Sequence, residues 1–293
     1  DIMHYTGTLY RNLYVPVSPL LEITQGCTHN KCKFCTMYTS IPFKMSPTEW
    51  IEEDIQEIAQ NNPNTTRLQL IGVDPFALSF DHLKKICDII LKRLPNVKIM
   101  TMASRVTNIK NKTIDQLKEL RKMGITELHI GVESGDDWTL NRIQKGYESN
   151  EIIEQVKKLD EAGISYWLTF LNGVAGKKHS YNHAINTAKI FNQLNPIVVG
   201  TGGLTLFPDT ELKKETELGE FDPLTEKEML EELKIFLEKL ECNARLITHH
   251  TIAINLSGNF LENKENILKS LQHLIDNLDE EKLLNIRNNK KTL

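Results

Sequence analysis

From Leu20 onward the chain alternates short apolar runs with amphipathic stretches, with little filler between them, and this rhythm limits its fold more than any other feature. Leu20-Leu21-Glu22-Ile23-Thr24 reads as a strand. Ser46-Pro47-Thr48-Glu49 then supplies an N-cap, a proline at the first helical position and a capping-box glutamate. Ile51, Ile55 and Ile58 continue that helix at helical spacing, and Leu68-Gln69-Leu70-Ile71 follows as a second strand. The same unit recurs through a helix of Leu83, Ile86, Ile90 and Leu94 that Pro95 stops, before a strand over residues 97–102. Leu117 and Leu120 lie on a helix closed by Gly124, ahead of a strand over 127–132. Ile152, Val156 and Leu159 precede a strand over 166–171, and Ala184, Ala188 and Phe191 precede one over 197–199.

Strands joined by helices at this spacing imply an α/β fold, a parallel sheet with right-handed crossovers. Six such units are too few to close an eight-fold barrel, so the expectation is an open, partial (β/α)6 TIM-like barrel. Functional groups in such folds gather beyond the C-terminal ends of the strands. After about residue 210 the pattern changes to a charged helix over 225–240, a strand-like run over 246–256, and a helix carrying Ile267, Leu271 and Ile275. The expected organisation is a barrel over 15–210 with a C-terminal α+β extension over 211–293 packed on it, and a frayed end over 287–291.

Composition narrows the function. A net charge of −4 and a pI near 6.2 disfavour a nucleic-acid partner, which would favour a concentrated basic face. No apolar run approaches the roughly 18 residues of a membrane span. The opening Asp1-Ile2-Met3-His4-Tyr5 lacks a signal-peptide core, which makes the cytoplasm the expected location. Of five cysteines, three crowd into the segment Gln25-Gly26-Cys27-Thr28-His29-Asn30-Lys31-Cys32-Lys33-Phe34-Cys35. Disulfide scaffolds spread their cysteines, whereas a knot of this kind in a reducing compartment points to a metal. Cys87 and Cys242 lie apart from it and read as small packing residues.

Thiolates are the soft ligands of iron–sulfur clusters and of zinc. A cubane has four irons, so three cysteines leave one iron able to bind a small molecule. A cysteine loop directly after the first strand, with Phe34 before the last cysteine, resembles the radical-SAM superfamily over roughly residues 15–210. The resemblance implies an enzyme in which Cys27, Cys32 and Cys35 hold a [4Fe–4S] cluster and S-adenosylmethionine chelates the open iron. Electron transfer then breaks the sulfonium bond, giving a 5′-deoxyadenosyl radical that removes a substrate hydrogen. One departure is the four residues between Cys27 and Cys32, where the family usually has three. The competing reading is a non-catalytic zinc or iron–sulfur module, with His29 or a distant histidine as the fourth zinc ligand.

By the same resemblance, Phe34 lies near the adenine, and Glu133, at the end of Ile130-Gly131-Val132-Glu133-Ser134-Gly135, contacts the ribose as in oxygen-independent coproporphyrinogen oxidases. Lys145 would hold the cofactor carboxylate, and Gly72 and Asp74 would receive its amino group as a partial match to the family's glycine–glutamate pattern. Ser104 and Thr169, near the ends of their strands, are the remaining expected cofactor contacts, the latter in a segment that passes under the adenine. Tyr38, Arg105, Asn172, His249 and His250 are the candidate substrate contacts. The expected partners are a small-molecule substrate and a reductant such as flavodoxin or ferredoxin, under anaerobic conditions.

Overall fold

The computed structural model describes residues 3–7, 14–35, 41–249 (of His249 only the backbone) and 258–290. Strand β1 (Leu20–Glu22) is buried throughout, and the chain then turns into β2 (Thr24–Gln25), which pairs antiparallel with β3 (Lys44–Met45). This two-stranded ribbon brackets the cysteine segment. Helix α1 (Thr48–Asn61) begins one residue later than the capping pattern predicts, with Pro47 as its N-cap. Ser46 instead gives its N–H to the Ile23 carbonyl, and its buried hydroxyl has no partner among the described residues. Tethering to the strand outcompetes capping there.

Next come β4 (Arg67–Ile71), α2 (Phe80–Arg93), β5 (Ile99–Ser104), α3 (Ile114–Lys122) and β6 (Ile125–Glu133). Ser79 caps α2, and Thr113 with Gln116 forms a full capping box on α3. They are followed by α4 (Asp137–Arg142), α5 (Ser149–Ala162), β7 (Ser165–Asn172), α6 (Ser180–Phe191) and β8 (Val198–Gly203). The chain closes with α7 (Glu211–Glu217), α8 (Glu226–Lys239), β9 (Arg245–His249), α9 (Phe260–Asp276) and α10 (Glu280–Asn288).

The main sheet has seven strands in the order β1-β4-β5-β6-β7-β8-β9, one more than the sequence reading counts. The pairs β1–β4, β4–β5, β5–β6, β7–β8 and β8–β9 all run parallel, as helical crossovers require. The added strand is β9, from the segment expected in the extension; its Leu246 lies opposite Val199, and both are buried. Helix α8 makes the crossover, burying Met229, Leu230, Leu233, Phe236 and Leu237. The Phe236 ring stacks on Phe170 of β7 at 4.0 Å.

Of the segment expected to fray, residues 287 and 288 are helical. Helix α10 runs to Asn288, and Arg287 is only 5% exposed, donating to both carboxylate oxygens of buried Glu226 and to the Leu204 carbonyl. The described residues fall into two compact units. The first lies within Asp1–Thr28, Tyr38–Ile130 and Gln155–Tyr166, the second within His29–Met37, Gly131–Glu154 and Trp167–Leu293. Among the described residues no helix is long and apolar enough to cross a membrane.

Candidate functional site

In the first unit the cysteine segment opens at Gly26, whose φ of +72° belongs to the left-handed region. A Cβ there would lie 2.5 Å from the carbonyl oxygens of both Ile41 and Pro42, so only glycine fits. Cys27 then forms an isolated bridge to Pro42. The next residue, Thr28, is held by Asp74: its N–H donates to Oδ1 at 3.3 Å and its hydroxyl to Oδ2 at 2.5 Å. Asp74 is fully buried and also accepts from Asn108 Nδ2 at 3.2 Å. Burial pushes its carboxyl above the usual range, against the lowering effect of the Thr28 and Asn108 donors. At Gly72 an added Cβ would fall 2.1 Å from Thr24 Oγ1, which explains a glycine two residues before Asp74.

Ser104 donates to the Arg105 carbonyl at 2.8 Å, and the Arg105 N–H donates to Asn108 Oδ1 at 2.8 Å. The two residues thus start the tight turn Val106–Asn108 that presents Asn108 to Asp74. Behind this turn Lys112 is 1% exposed, donating to the carbonyls of Phe76 at 2.7 Å and Asn108 at 3.0 Å. Burial, helped by the Lys158 charge, pushes its pKa from 10.5 down to about 7. Between those values the unfolded chain binds a proton that the folded chain lacks, so stability rises with pH from about 7 to about 10.5. That contribution is lost as pH falls through 7. Urea midpoints at pH 6.5 and 9.5 are expected to diverge in the natural protein and to converge in Lys112→Met; equal spreads in both would refute the assignment.

In the second unit the rest of the cysteine segment lies against residues 143–146. The Lys33 N–H donates to the Ile143 carbonyl at 3.1 Å, and His29 Nε2 bonds the Gln144 carbonyl at 2.6 Å. Lys145 Nζ sits 5.8 Å from the centre of the Phe34 ring and 5.9 Å from that of Tyr147. The Cys35 N–H closes a turn onto the Cys32 carbonyl at 3.2 Å. Phe34 is buried with Ile143, Leu171, Val174, Leu204, Leu212 and Phe221, and Cys32 and Cys35 pack against that cluster as half-buried thiols. By contrast Cys87 and Cys242 are buried, and burial pushes both thiols up to about 12, in keeping with packing roles.

Glu133, at the end of β6, has a φ of +71°. Such a conformation in a residue other than glycine costs on the order of 1–3 kcal/mol and persists only where neighbours enforce it. Here Ser134 bonds His183 at 2.8 Å, Gly135 N–H donates to Thr187 at 2.8 Å, and Asn186 donates to Asp136 at 2.7 Å. Thr169 of β7 donates its hydroxyl to Glu133 Oε1 at 2.7 Å while accepting the Val132 N–H at 3.1 Å. Two positions 36 residues apart, both singled out in the sequence, are thereby joined. Asn172 is fully buried and donates to Glu232 Oε1 at 3.0 Å, a carboxylate that also accepts from the Gly173 N–H and the Ser180 hydroxyl.

His249 ends β9, while Tyr38 and His250 lie outside the described residues. The sequence reading missed Thr28, Asn108, Lys33, Arg142, Glu215 and Glu232, each fixed by a partner far along the chain for which no local pattern exists. Among the described residues, no three His, Cys, Asp or Glu side chains converge as around a single ion. His29, one candidate for the fourth ligand in the zinc reading beside a distant histidine, bonds the Gln144 carbonyl. A cubane asks for something else: each thiolate binds a different iron, and three thiols from one short loop match that donor set.

A family model described as the radical SAM superfamily matches residues 21–191. The heme chaperone HemW of Bacillus subtilis is 24% identical over 220 residues, covering 74% of this chain and 56% of that protein. Among solved structures, coproporphyrinogen III oxidase (HemN) from Escherichia coli aligns with a TM-score of 0.55 at 17% identity, covering 76% of this chain and 52% of that one. Methylornithine synthase (PylB) aligns with a TM-score of 0.53 at 15% identity, covering 92% and 85%. The chain spans about half the length of the heme chaperone HemW.

Proposed function

The chain belongs to the radical SAM superfamily, whose members work with a [4Fe–4S] cluster and S-adenosylmethionine, and from that premise we propose a catalytic role for it. Cys27, Cys32 and Cys35 hold the cluster, and the enzyme abstracts hydrogen from a small organic substrate. When bound, the reduced cluster and S-adenosylmethionine supply one-electron cleavage of the sulfonium bond. The observation that carries this reading is the meeting of Lys145 with Phe34 and of Glu133 with Thr169, in the unit that holds Cys32 and Cys35.

Lys145 supplies an ammonium for the cofactor carboxylate. Its 6% exposure and the two aromatic faces beside it keep water away, which strengthens that pairing. Glu133 accepts from the ribose hydroxyls, and the Thr169 hydroxyl orients its carboxylate for that task. Cys27, before His29 and Asn30 in the chain, and Cys32 and Cys35, after them, would supply three thiolates to the cluster, one fewer than its four irons. A reductant of the flavodoxin or ferredoxin kind supplies the electron. Tetrapyrroles are the first substrate class to assay, since two of the matched proteins are a heme chaperone and a coproporphyrinogen oxidase.

The test is anaerobic reconstitution with iron and sulfide, then dithionite and S-adenosylmethionine, with 5′-deoxyadenosine as the readout. Its formation is the expected result; one zinc per chain and intact cofactor would overturn the proposal. Glu133→Gln is expected to weaken S-adenosylmethionine binding by about tenfold to a hundredfold, the scale of one lost charge-assisted hydrogen bond. Equilibrium dialysis on the reconstituted protein measures this, and unchanged affinity would remove Glu133 from the site.

A further inference from the structure

We propose that Glu215 is a positioning residue, which locks the Cys32–Cys35 turn against α7 and against the segment carrying Lys145 through a two-pronged ion pair with Lys33 and Arg142. Its Oε1 receives Lys33 Nζ at 2.7 Å and its Oε2 receives Arg142 Nη1 at 2.7 Å, so each oxygen has its own cation. Lys33 stands between two proposed cluster ligands, and Arg142 stands three residues before Lys145. A single carboxylate therefore joins the turn that holds the thiols to the segment that would hold the cofactor carboxylate.

Exposed ion pairs contribute little to stability. This one differs, because the three side chains are only 16–20% exposed and the main chain is fastened at the same place. Lys33 donates its N–H to the Ile143 carbonyl at 3.1 Å and accepts the Leu212 N–H at 3.0 Å, so its backbone bridges the two elements that its side chain and Glu215 also join. Leu212 and Ile143 then bury the neighbouring Phe34 ring. Arg142 is itself steadied by the Phe221 ring at 5.8 Å and the Glu220 carbonyl at 3.4 Å. Burial alone would raise the Glu215 carboxyl, but the Lys33 and Arg142 contacts prevail and hold it below the usual range. Glu215 touches no expected ligand or cofactor position, and its effect passes through Lys33 and Arg142.

The link to the cluster rests on the radical SAM reading, while the lock itself does not, and the experiment separates the two. In iron-free protein, alkylation of Cys32 and Cys35 is timed by mass spectrometry in the natural chain, Glu215→Gln, Lys33→Met and the double variant. Glu215→Gln is expected to speed alkylation about tenfold, the scale of one charged hydrogen bond, and Lys33→Met by less, with the double variant no faster than Glu215→Gln because Lys33 acts through Glu215. Unchanged rates, or effects that multiply, would overturn the lock. In reconstituted protein, Glu215→Gln is expected to retain its iron yet show about a tenfold higher KM for S-adenosylmethionine with kcat changed less than about threefold. It should also lose part of the cofactor-induced change in the reduced cluster's EPR signal. A fall in kcat alone would refute the positioning role, whereas failure of the natural chain to bind a cluster would sink the radical SAM reading and leave the alkylation result standing.

Discussion

Cys32→Ala is expected to abolish 5′-deoxyadenosine formation, by at least about a thousandfold, because a cluster held by three protein ligands does not survive the loss of one. Cys32 is the informative choice of the three. Its carbonyl accepts the Cys35 N–H that closes the turn, and its side chain packs against the apolar cluster around Phe34, so alanine removes the sulfur and keeps that backbone bond. Iron should fall from about four per chain to below one, with the far-ultraviolet circular dichroism and the urea midpoint of the apo-protein unchanged. The matched control is Cys87→Ala, which deletes a thiol buried in α2 whose pKa burial pushes up to about 12. That variant should lose some stability through its small cavity and retain the full cluster. Cleavage surviving in Cys32→Ala would end the three-cysteine assignment, and equal loss in both variants would point to a folding defect.

The parts of the molecule that obey a local period were legible in the sequence. Leu83, Ile86 and Ile90 face the core from α2, and Leu117 and Leu120 from α3, as their spacing requires. What stayed hidden depends on partners distant along the chain. The run that forms β9 was visible as a strand, but joining β8 is decided by the crossover through α8 and by the burial of Leu246 and Ile247. Nothing near Lys33 announces Glu215, 182 residues later. Asp74 could be picked out as an acid at a strand end, while its grip on Thr28 and Asn108 needed three separate loops in place. The left-handed φ of Glu133 was likewise unreadable, since the turn that enforces it is held by His183, Asn186 and Thr187 of α6.

Arg287→Met is expected to destabilise the second unit by about 3–5 kcal/mol. A charge at position 287 looked like part of a polar, fraying end, yet its side chain is 6% exposed and that of its partner Glu226 is 4% exposed. The guanidinium makes two bonds to the Glu226 carboxylate, one of them at 2.9 Å, and a third to the Leu204 carbonyl at 3.1 Å. Gly203 makes room for it, since a Cβ there would stand 2.7 Å from the guanidinium nitrogens. Removing the arginine takes the guanidinium away from a buried carboxylate at the start of α8 and releases α10, so the cost is mainly that of a buried charge deprived of its main ion-pair partner. Removing both charges is a different experiment. In Glu226→Leu/Arg287→Met neither member of the pair is left to desolvate, and stability should return to within about 1 kcal/mol of the natural chain or exceed it. Urea unfolding of the iron-free protein, with hydrogen exchange along α10 to localise the change, tests both variants. If the single variant lost less than about 0.5 kcal/mol, the pair would be behaving as a solvated surface contact. If the double variant were as unstable as the single one, the weight would lie in the Leu204 bond and the packing of α10, and the buried charge would not be what holds this end of the chain in place.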